Sequence, residues 1–295
     1  MLNQSLDSFD RNLASASAGQ ALDGFSLYYA PVIDSTMNLQ AWCQERGIPV
    51  EPGLCLVAGR QTHGVGQHGS WVSSSQDVKL SIVLPEVATA AQHAIINCVA
   101  AFAVQRTLTE LARDFSIEIG SLPKFGVKLV NDVLVPFQGT FHKISGSLGV
   151  GKHDPAMRAL LQNRDNFVFP DNCIVMGIGI NLQTLERPVV DPRFPPVALE
   201  QLIGTLIRRE VAVGVLLRNF QNLSSLAASR PGMLLHALQS ELATSGGEVL
   251  VVSKSGAEST GFVSELSPTA VRYKTSGETR EIALEDVQRI IPKPA

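Results

Sequence analysis

At Ser245-Gly246-Gly247 the texture of the chain changes. Beyond this point Glu248 to Ser253, Thr260 to Leu266, Val271 to Thr275 and Thr279 to Ala283 read as short strands separated by Gly, Ser and Pro turns. Several short strands packed so closely in sequence predict a small SH3-like β-barrel. At 295 residues the chain exceeds one average domain, so a larger unit precedes the barrel. The predicted division is a polar N-terminal extension over 1–24, a large domain over 25–244 and the barrel over 245–295.

The large unit mixes strand and helix patterns. Leu27 to Val32 reads as a strand, followed by Ser35-Thr36 as N-cap candidates for a helix through Leu39, Trp42 and Cys43. Leu54 to Ala58 is an apolar run suited to a buried strand, and Val78 to Leu84 is another, stopped by Pro85. Between Thr89 and Arg113 apolar residues recur at helical spacing, which predicts one long helix with a core-facing stripe. Val127 to Val135 and Lys143 to Val150 read as a strand pair, and Cys173 to Asn181 as a further strand containing two glycines. A Pro-rich linker (Pro188, Pro192, Pro195, Pro196) leads to helical patterns around Leu199 to Ile207, Val213 to Leu223 and Met233 to Leu242.

Composition excludes several classes. A hydrophobic content of 45% is ample for a core, yet no stretch reaches the roughly 20 apolar residues of a membrane span. A net charge of −3 argues against general nucleic-acid affinity, which needs clustered Lys and Arg. The four cysteines are scattered without metal-ligand spacing and read as reduced, buried thiols. The first 23 residues lack the apolar core of a secretory signal and the basic character of a mitochondrial presequence, so a frayed or locally helical extension and a cytoplasmic location are expected.

Chemistry concentrates in a few places. Lys128, Asn131 and Asp132 interrupt the apolar run from Gly126 to Leu134, and Lys143 stands before Gly146 in a second apolar pattern. Charges in strand-like runs are too costly to bury unpaired. Two cations and a carboxylate there suit a site for a phosphate anion, with Asp132 a candidate Mg²⁺ ligand. Gln61 to Trp71 forms a Gly-rich loop whose amides could converge on an anion, though it lacks the Gly-Lys-Ser/Thr ending of a P-loop and reads equally well as a flexible surface loop. Trp71 itself reads as a packing residue closing that loop. His63 and His68 have no carboxylate or Cys at ligand spacing, so metal ligation is not expected of them. Gly177, Gly179 and Asn181 either mark a bulged strand or allow close approach of a flat ring.

In order along the chain, Ile33-Asp34-Ser35-Thr36, Gln61-Thr62 with its Gly-rich loop and Trp71, Lys128 with Asn131-Asp132, Lys143 with Gly146, and Gly177-Ile178-Gly179-Ile180-Asn181 resemble the biotin protein ligases. The resemblance extends from Leu27 to Ile291 and includes the C-terminal barrel. It implies an α/β (α+β) fold, with a mixed catalytic sheet packed by helices ahead of the barrel. It further implies formation of biotinyl-AMP from biotin and MgATP, then transfer of biotin to a lysine of a carboxylase's biotin-carrier domain. Ser35, Thr36 and Gln61 would bind the biotin head group, and Lys143 with Gly146 its carboxylate end. Lys143, Lys128 and Asp132 would be the catalytic set, with Asp132 serving Mg²⁺ or the incoming lysine. Gly64, Gly66, Gln67, His68, Trp71, Asn131 and Asn181 would hold ATP and the adenylate.

The chain departs from that family's pattern. Val65 and Gln67 stand where the family's loop carries arginines, and Leu129-Val130 replace a Trp-Pro pair. Weaker retention of the adenylate is therefore expected, with His63 or His68 as partial substitutes for the lost charge. The related lipoate ligases, or a degraded biotin- or partner-binding protein, are the competing readings. No helix-turn-helix segment precedes Leu27, so transcriptional repression and nucleic-acid partners are not expected. A monomer or a homodimer would both be compatible.

Overall fold

The structure is a computed structural model and describes residues 9–67, 69–116, 122–165, 167–187, 189, 191–244 and 246–293. The chain opens with helix α1 (Arg11–Ala18), whose first turn is capped by the Asp10 carboxylate accepting from Leu13 N. Strand β1 (Ser26–Ile33) leads to a short 3₁₀ turn over Thr36–Asn38, capped by Ser35, and then to α2 (Leu39–Gln44). Next come β2 (Leu54–Gln61), the two-residue pair β3 (Val65–Gly66) and β4 (Gly69–Ser70), and β5 (Val78–Pro85). Thr89 and Gln92 form a reciprocal capping box that starts the long helix α3 (Ala90–Phe115). Then follow β6 (Gly126–Lys128), β7 (Asp132–Phe137), β8 (Thr140–Val150), α4 (Pro155–Asp165) and β9 (Cys173–Ile180). Helices α5 (Leu199–Ile203), α6 (Arg209–Ser229) and α7 (Pro231–Ser240) precede five strands: β10 (Val249–Ser253), β11 (Glu258–Leu266), β12 (Ala270–Lys274), β13 (Thr279–Ala283) and β14 (Val287–Pro292).

Seven strands form one mixed sheet in the order β1-β2-β5-β9-β8-β7-β6, with β1 and β2 parallel and the remaining neighbours antiparallel. The period of two along each strand sorts its side chains between two environments. Met176, Ile178 and Ile180 of β9 face the core built with α3 and α6. Cys173 and Val175 face a second cluster with Met37, Leu39, Phe167 and Phe169. Continuing that second face, Gly177 and Gly179 remove the side chains that would otherwise fill it, and the space they leave becomes a cavity. The C-terminal strands make a separate five-stranded antiparallel sheet in the order β13-β12-β11-β10-β14. That sheet is tied to the larger one where Ile290 N donates to Leu129 O at 2.9 Å.

The architecture agrees with the α/β expectation, and several details differ from the sequence reading. The run from Val127 to Val135 is two strands, because the chain reverses between Lys128 and Asp132, which pair directly. The turn is held from outside the ladder: Asn131 Nδ2 donates to Ser147 O at 2.8 Å, and Leu129 O accepts from Ile290. Of the two options for the N-terminal extension, the described part takes the helical one: Arg11–Ala18 is a packed helix with Ala14 and Ala18 buried. A Cβ on Gly214 of α6 would collide with the Ala14 carbonyl, so the glycine lets the two backbones meet. Helix α4, which no sequence pattern singled out, covers the second face. All four cysteines are free and buried, as expected. Among the described residues no helix is long and apolar enough to cross a membrane.

Candidate functional site

The glycine-cleared face opens into a cavity of about 450 Å³. Parallel pairing builds its first corner. Ile33 of β1 is in register with Gln61 of β2, so the residues that leave β1 turn across the end of β2. Gln61 Oε1 accepts from Thr36 N at 2.7 Å and from Thr36 Oγ1 at 3.1 Å. Ser35 and Thr36 are buried, and all three residues line the cavity. Ser35 Oγ accepts from Met37 N at 3.3 Å, which keeps its hydroxyl proton available. Across the floor, Met37 packs where a Gly177 side chain would stand.

A register row runs across the floor. Lys79 of β5 pairs with Gly179 of β9, Gly179 with Gly146 of β8, and Gly146 with Asp132 of β7. Two glycines therefore lie between a lysine on one side and a charged cluster on the other. A Cβ on Gly179 would come within 2.5 Å of the Trp71 ring, and one on Gly146 within 3.1 Å of Lys143 Nζ and Asp132 Oδ1. Here the absence of side chains is a spatial requirement.

Asp132 sits between two ammonium groups. Lys128 Nζ lies 2.5 Å from Oδ2 and Lys143 Nζ 2.6 Å from Oδ1. Burial alone would raise the Asp132 carboxyl, but the two lysines outweigh it and hold it well below the usual carboxylate range. The lysines differ in exposure: the Lys128 side chain is 8% exposed and that of Lys143 33%. Both line the cavity, and the Lys143 side chain is the more open to it. Its backbone is pinned from both sides, by Leu134 of β7 and by Pro195, whose carbonyl accepts from Lys143 N at 2.9 Å. The Pro-rich segment is accordingly a strap along the cavity rim, bringing Arg187, Arg193 and Phe194 to the wall.

The remaining sequence candidates fall as follows. Gly66, Gln67 and Trp71 line the cavity from the Gly-rich segment, which contains the β3–β4 pair. Asn131 and Asn181 line it as well. Asn181 Nδ2 donates to Val197 O at 3.1 Å, whereas Asn181 Oδ1 and Trp71 Nε1 are buried with no hydrogen-bond partner among the described residues. Gly64 is not a lining residue; a side chain there would collide with the Trp71 carbonyl. His63 is exposed beside Thr62 and does not face the cavity, and His68 lies outside the described residues. Among the described residues no cluster of three His, Cys, Asp or Glu side chains could hold a metal. With both oxygens of Asp132 taken by lysines, the donor set does not suit a magnesium ion held by the protein.

Sequence reading missed Lys79, Arg187, Arg193 and Arg289, which all line the cavity. Lys79 carried a signal, since it interrupts an apolar strand as Lys143 does. The arginines carried none, because two come from the strap and one from β14 of the C-terminal sheet. Together with Lys128 and Lys143 they make six cationic side chains on the wall, against the carboxylates Asp132 and Asp191. In a chain of net charge −3 this is a local excess of positive charge, and it suits an anionic ligand.

Residues 29–152 match the model of the biotin/lipoate A/B protein ligase family. Among solved structures, the biotin protein ligase from Aquifex aeolicus in complex with biotin and ATP is 24% identical, with a TM-score of 0.66. That match covers 91% of this chain and 99% of the other. The biotin protein ligase from Leishmania major in complex with biotinyl-5-AMP is 13% identical, with a TM-score of 0.56, covering 88% and 98%. A biotin protein ligase-like protein of unknown function from Silicibacter is also 13% identical, with a TM-score of 0.58, covering 89% and 95%. These likenesses establish a shared fold over both sheets. No curated protein matches the chain by sequence. The matched segment runs from within β1 to just past β8, and so contains the corner of Ser35, Thr36 and Gln61 together with the Lys128–Asp132–Lys143 cluster.

Proposed function

We propose that the chain is an ATP-dependent biotin protein ligase, with residues 25–244 as the catalytic unit and 245–295 as a C-terminal module. The observation that carries this reading is Lys143: an ammonium group held at 2.6 Å from Asp132, over the glycine floor of a cation-lined cavity. Solved relatives of the same fold that hold biotin with ATP, or biotinyl-5-AMP, support the choice of substrates.

The first step joins a biotin carboxylate oxygen to the α-phosphorus of MgATP and breaks the bond to pyrophosphate. Ser35, Thr36 and Gln61 form a polar corner for the biotin ureido group, with the Gln61 amide N–H₂ left to donate because its oxygen already serves Thr36. Lys143 and Gly146 meet the carboxylate end. Lys143 neutralises charge on the carboxylate and α-phosphate as it develops, and a fixed cation does so without reorganisation. Lys128 adds positive charge behind Asp132, and Asn131, Asn181, Gly66, Gln67 and Trp71 form the nucleotide side. Magnesium enters with the nucleotide as part of the substrate, and no step depends on a protein-held ion. In the second step a lysine amine of a biotin-carrier domain attacks the acyl carbon, AMP leaves and the amine loses a proton. Asp132 is a buried carboxylate on the cavity wall, and its two lysines keep it ionised. A cytoplasmic location is consistent with this reading.

Biotin-dependent exchange of labelled pyrophosphate into ATP tests the proposal. Exchange with biotin is the expected result. Exchange with lipoate alone would move the assignment to the other branch of the family, and exchange with neither would overturn ligase activity.

A further inference from the structure

Asp77 immediately precedes β5, is fully buried and stands behind the cavity wall. Its carboxylate accepts from Ser74 N at 2.6 Å, Leu182 N at 2.8 Å, Gln183 N at 3.1 Å and Arg187 Nη2 at 2.6 Å. Four donors saturate what one carboxylate can accept. They come from three different parts of the wall. Ser74 closes the segment that begins at Trp71. Leu182 and Gln183 directly follow Asn181. Arg187 starts the strap that carries Arg193 and Phe194. Trp71, Asn181 and Arg187 all line the cavity, whereas Asp77 does not. Two further cations hold the same corner: Lys79 Nζ donates to Ser74 O, and Arg209 Nη1 donates to Ser75 O at 2.8 Å.

We propose that Asp77 is a positioning residue for the nucleotide side of the site, fixing Trp71, Asn181 and the Arg187 strap relative to one another through a single buried carboxylate. The role rests on the adenylation reading above. The chemistry of the anchor makes it specific. An Asn at this position keeps one oxygen for Leu182 and Gln183, but turns an N–H₂ toward Ser74 N and Arg187, both donors. The Asn181 turn would stay in place while the Trp71 segment and the strap lose their tie. Arg187→Gln, by contrast, releases only the strap.

The experiment compares wild type, Asp77→Asn and Arg187→Gln as full-length proteins in two measurements. Hydrogen–deuterium exchange without substrates should show faster exchange in residues 71–77 and 183–187 for Asp77→Asn, and in 183–187 for Arg187→Gln. Pyrophosphate exchange should show KM for ATP raised about tenfold or more in Asp77→Asn, with KM for biotin within about twofold of wild type. A purely structural role would lower activity through stability and move both KM values or neither. Faster exchange confined to one segment of Asp77→Asn, or an unchanged ATP KM in a folded variant, overturns the inference. If Asp77→Asn does not fold, Arg187→Gln decides on the strap: faster exchange in 183–187 with a raised KM for ATP and an unchanged KM for biotin supports the anchor, and unchanged exchange in 183–187 overturns it. An inactive wild type would instead overturn the ligase reading, and the role of Asp77 with it.

Discussion

Replacing Lys143 by Met keeps most of the aliphatic stem and removes the ammonium. Two effects follow, and they differ in size. In the resting protein, Asp132 loses its contact with Lys143 at 2.6 Å but keeps Lys128 at 2.5 Å. The carboxylate is still paired, and the lost partner was one-third exposed, so the stability cost is roughly 1–2 kcal/mol. For a chain of this length that lowers the melting temperature by only a few degrees, about 2–4 °C per kcal/mol. In the reaction, the same ammonium meets charge that appears only as the phosphorus–oxygen bond forms. Removing a preorganised donor of that kind costs about 10²–10³ in rate, or roughly 3–4 kcal/mol. The expected result is therefore a folded protein whose biotin-dependent pyrophosphate exchange falls at least a hundredfold. Thermal melting and the exchange assay on one preparation separate the two effects. Exchange within about threefold of wild type would refute the role given to Lys143. A loss of activity matched by a melting temperature more than ten degrees lower would show that the lysine acts mainly on the fold.

Three other perturbations test different parts of the site. Gln61→Leu removes the amide that Thr36 N and Oγ1 share, so KM for biotin should rise about 10- to 100-fold with little change in KM for ATP; equal changes in both would count against the biotin corner. Gly179→Ala places a Cβ within 2.5 Å of the Trp71 ring, which should cost about 1–3 kcal/mol in chemical denaturation and weaken adenylate binding; a neutral substitution would mean that Trp71 does not rest on the floor. Burial, reinforced by Arg209 and Arg187 and opposed by Asp77, pushes Lys79 down from 10.5 to about 7. The unfolded chain therefore holds this proton more tightly than the fold does between pH 7 and 10.5, and the penalty is full below pH 7 and fades as pH rises. The gap corresponds to a penalty on the order of 3–5 kcal/mol, offset in part by the bonds to Ser74 and Ser75. Lys79→Met should thus melt higher than wild type at pH 6, with the difference shrinking toward pH 10, and a difference independent of pH would contradict the burial argument.

Much of the site was legible because its residue types are expensive where they stand. Lys128, Asp132 and Lys143 interrupt apolar runs, and charge in such runs needs a partner or a task. Gly177, Gly179 and Gly146 were visible as glycines in strands, though only the register row showed what they make room for. The same reasoning applied to Lys79 would have found a fourth charge. Arg187, Arg193 and Arg289 stayed hidden because nothing local distinguishes a surface arginine from one that the fold turns inward. The Pro-rich segment misled for a related reason: its composition says that it cannot join a ladder as an ordinary strand, and says nothing of where it lies.

Local patterns alone determined the alternation of strands and helices, four of the five short C-terminal strands in outline (β14 was not among them), and the charges that had to be paired. Periodicity and desolvation cost act over a few residues and can be read without neighbours. Tertiary structure decided that one run of nine residues turns back on itself between Lys128 and Asp132, because Ser147 and Ile290 supply the partners that hold the turn. It also decided the sign of the cavity's charge. The lining cations Lys79, Arg187, Arg193 and Arg289 come from β5, the strap and β14, which lie far apart in sequence and meet only when both sheets are assembled.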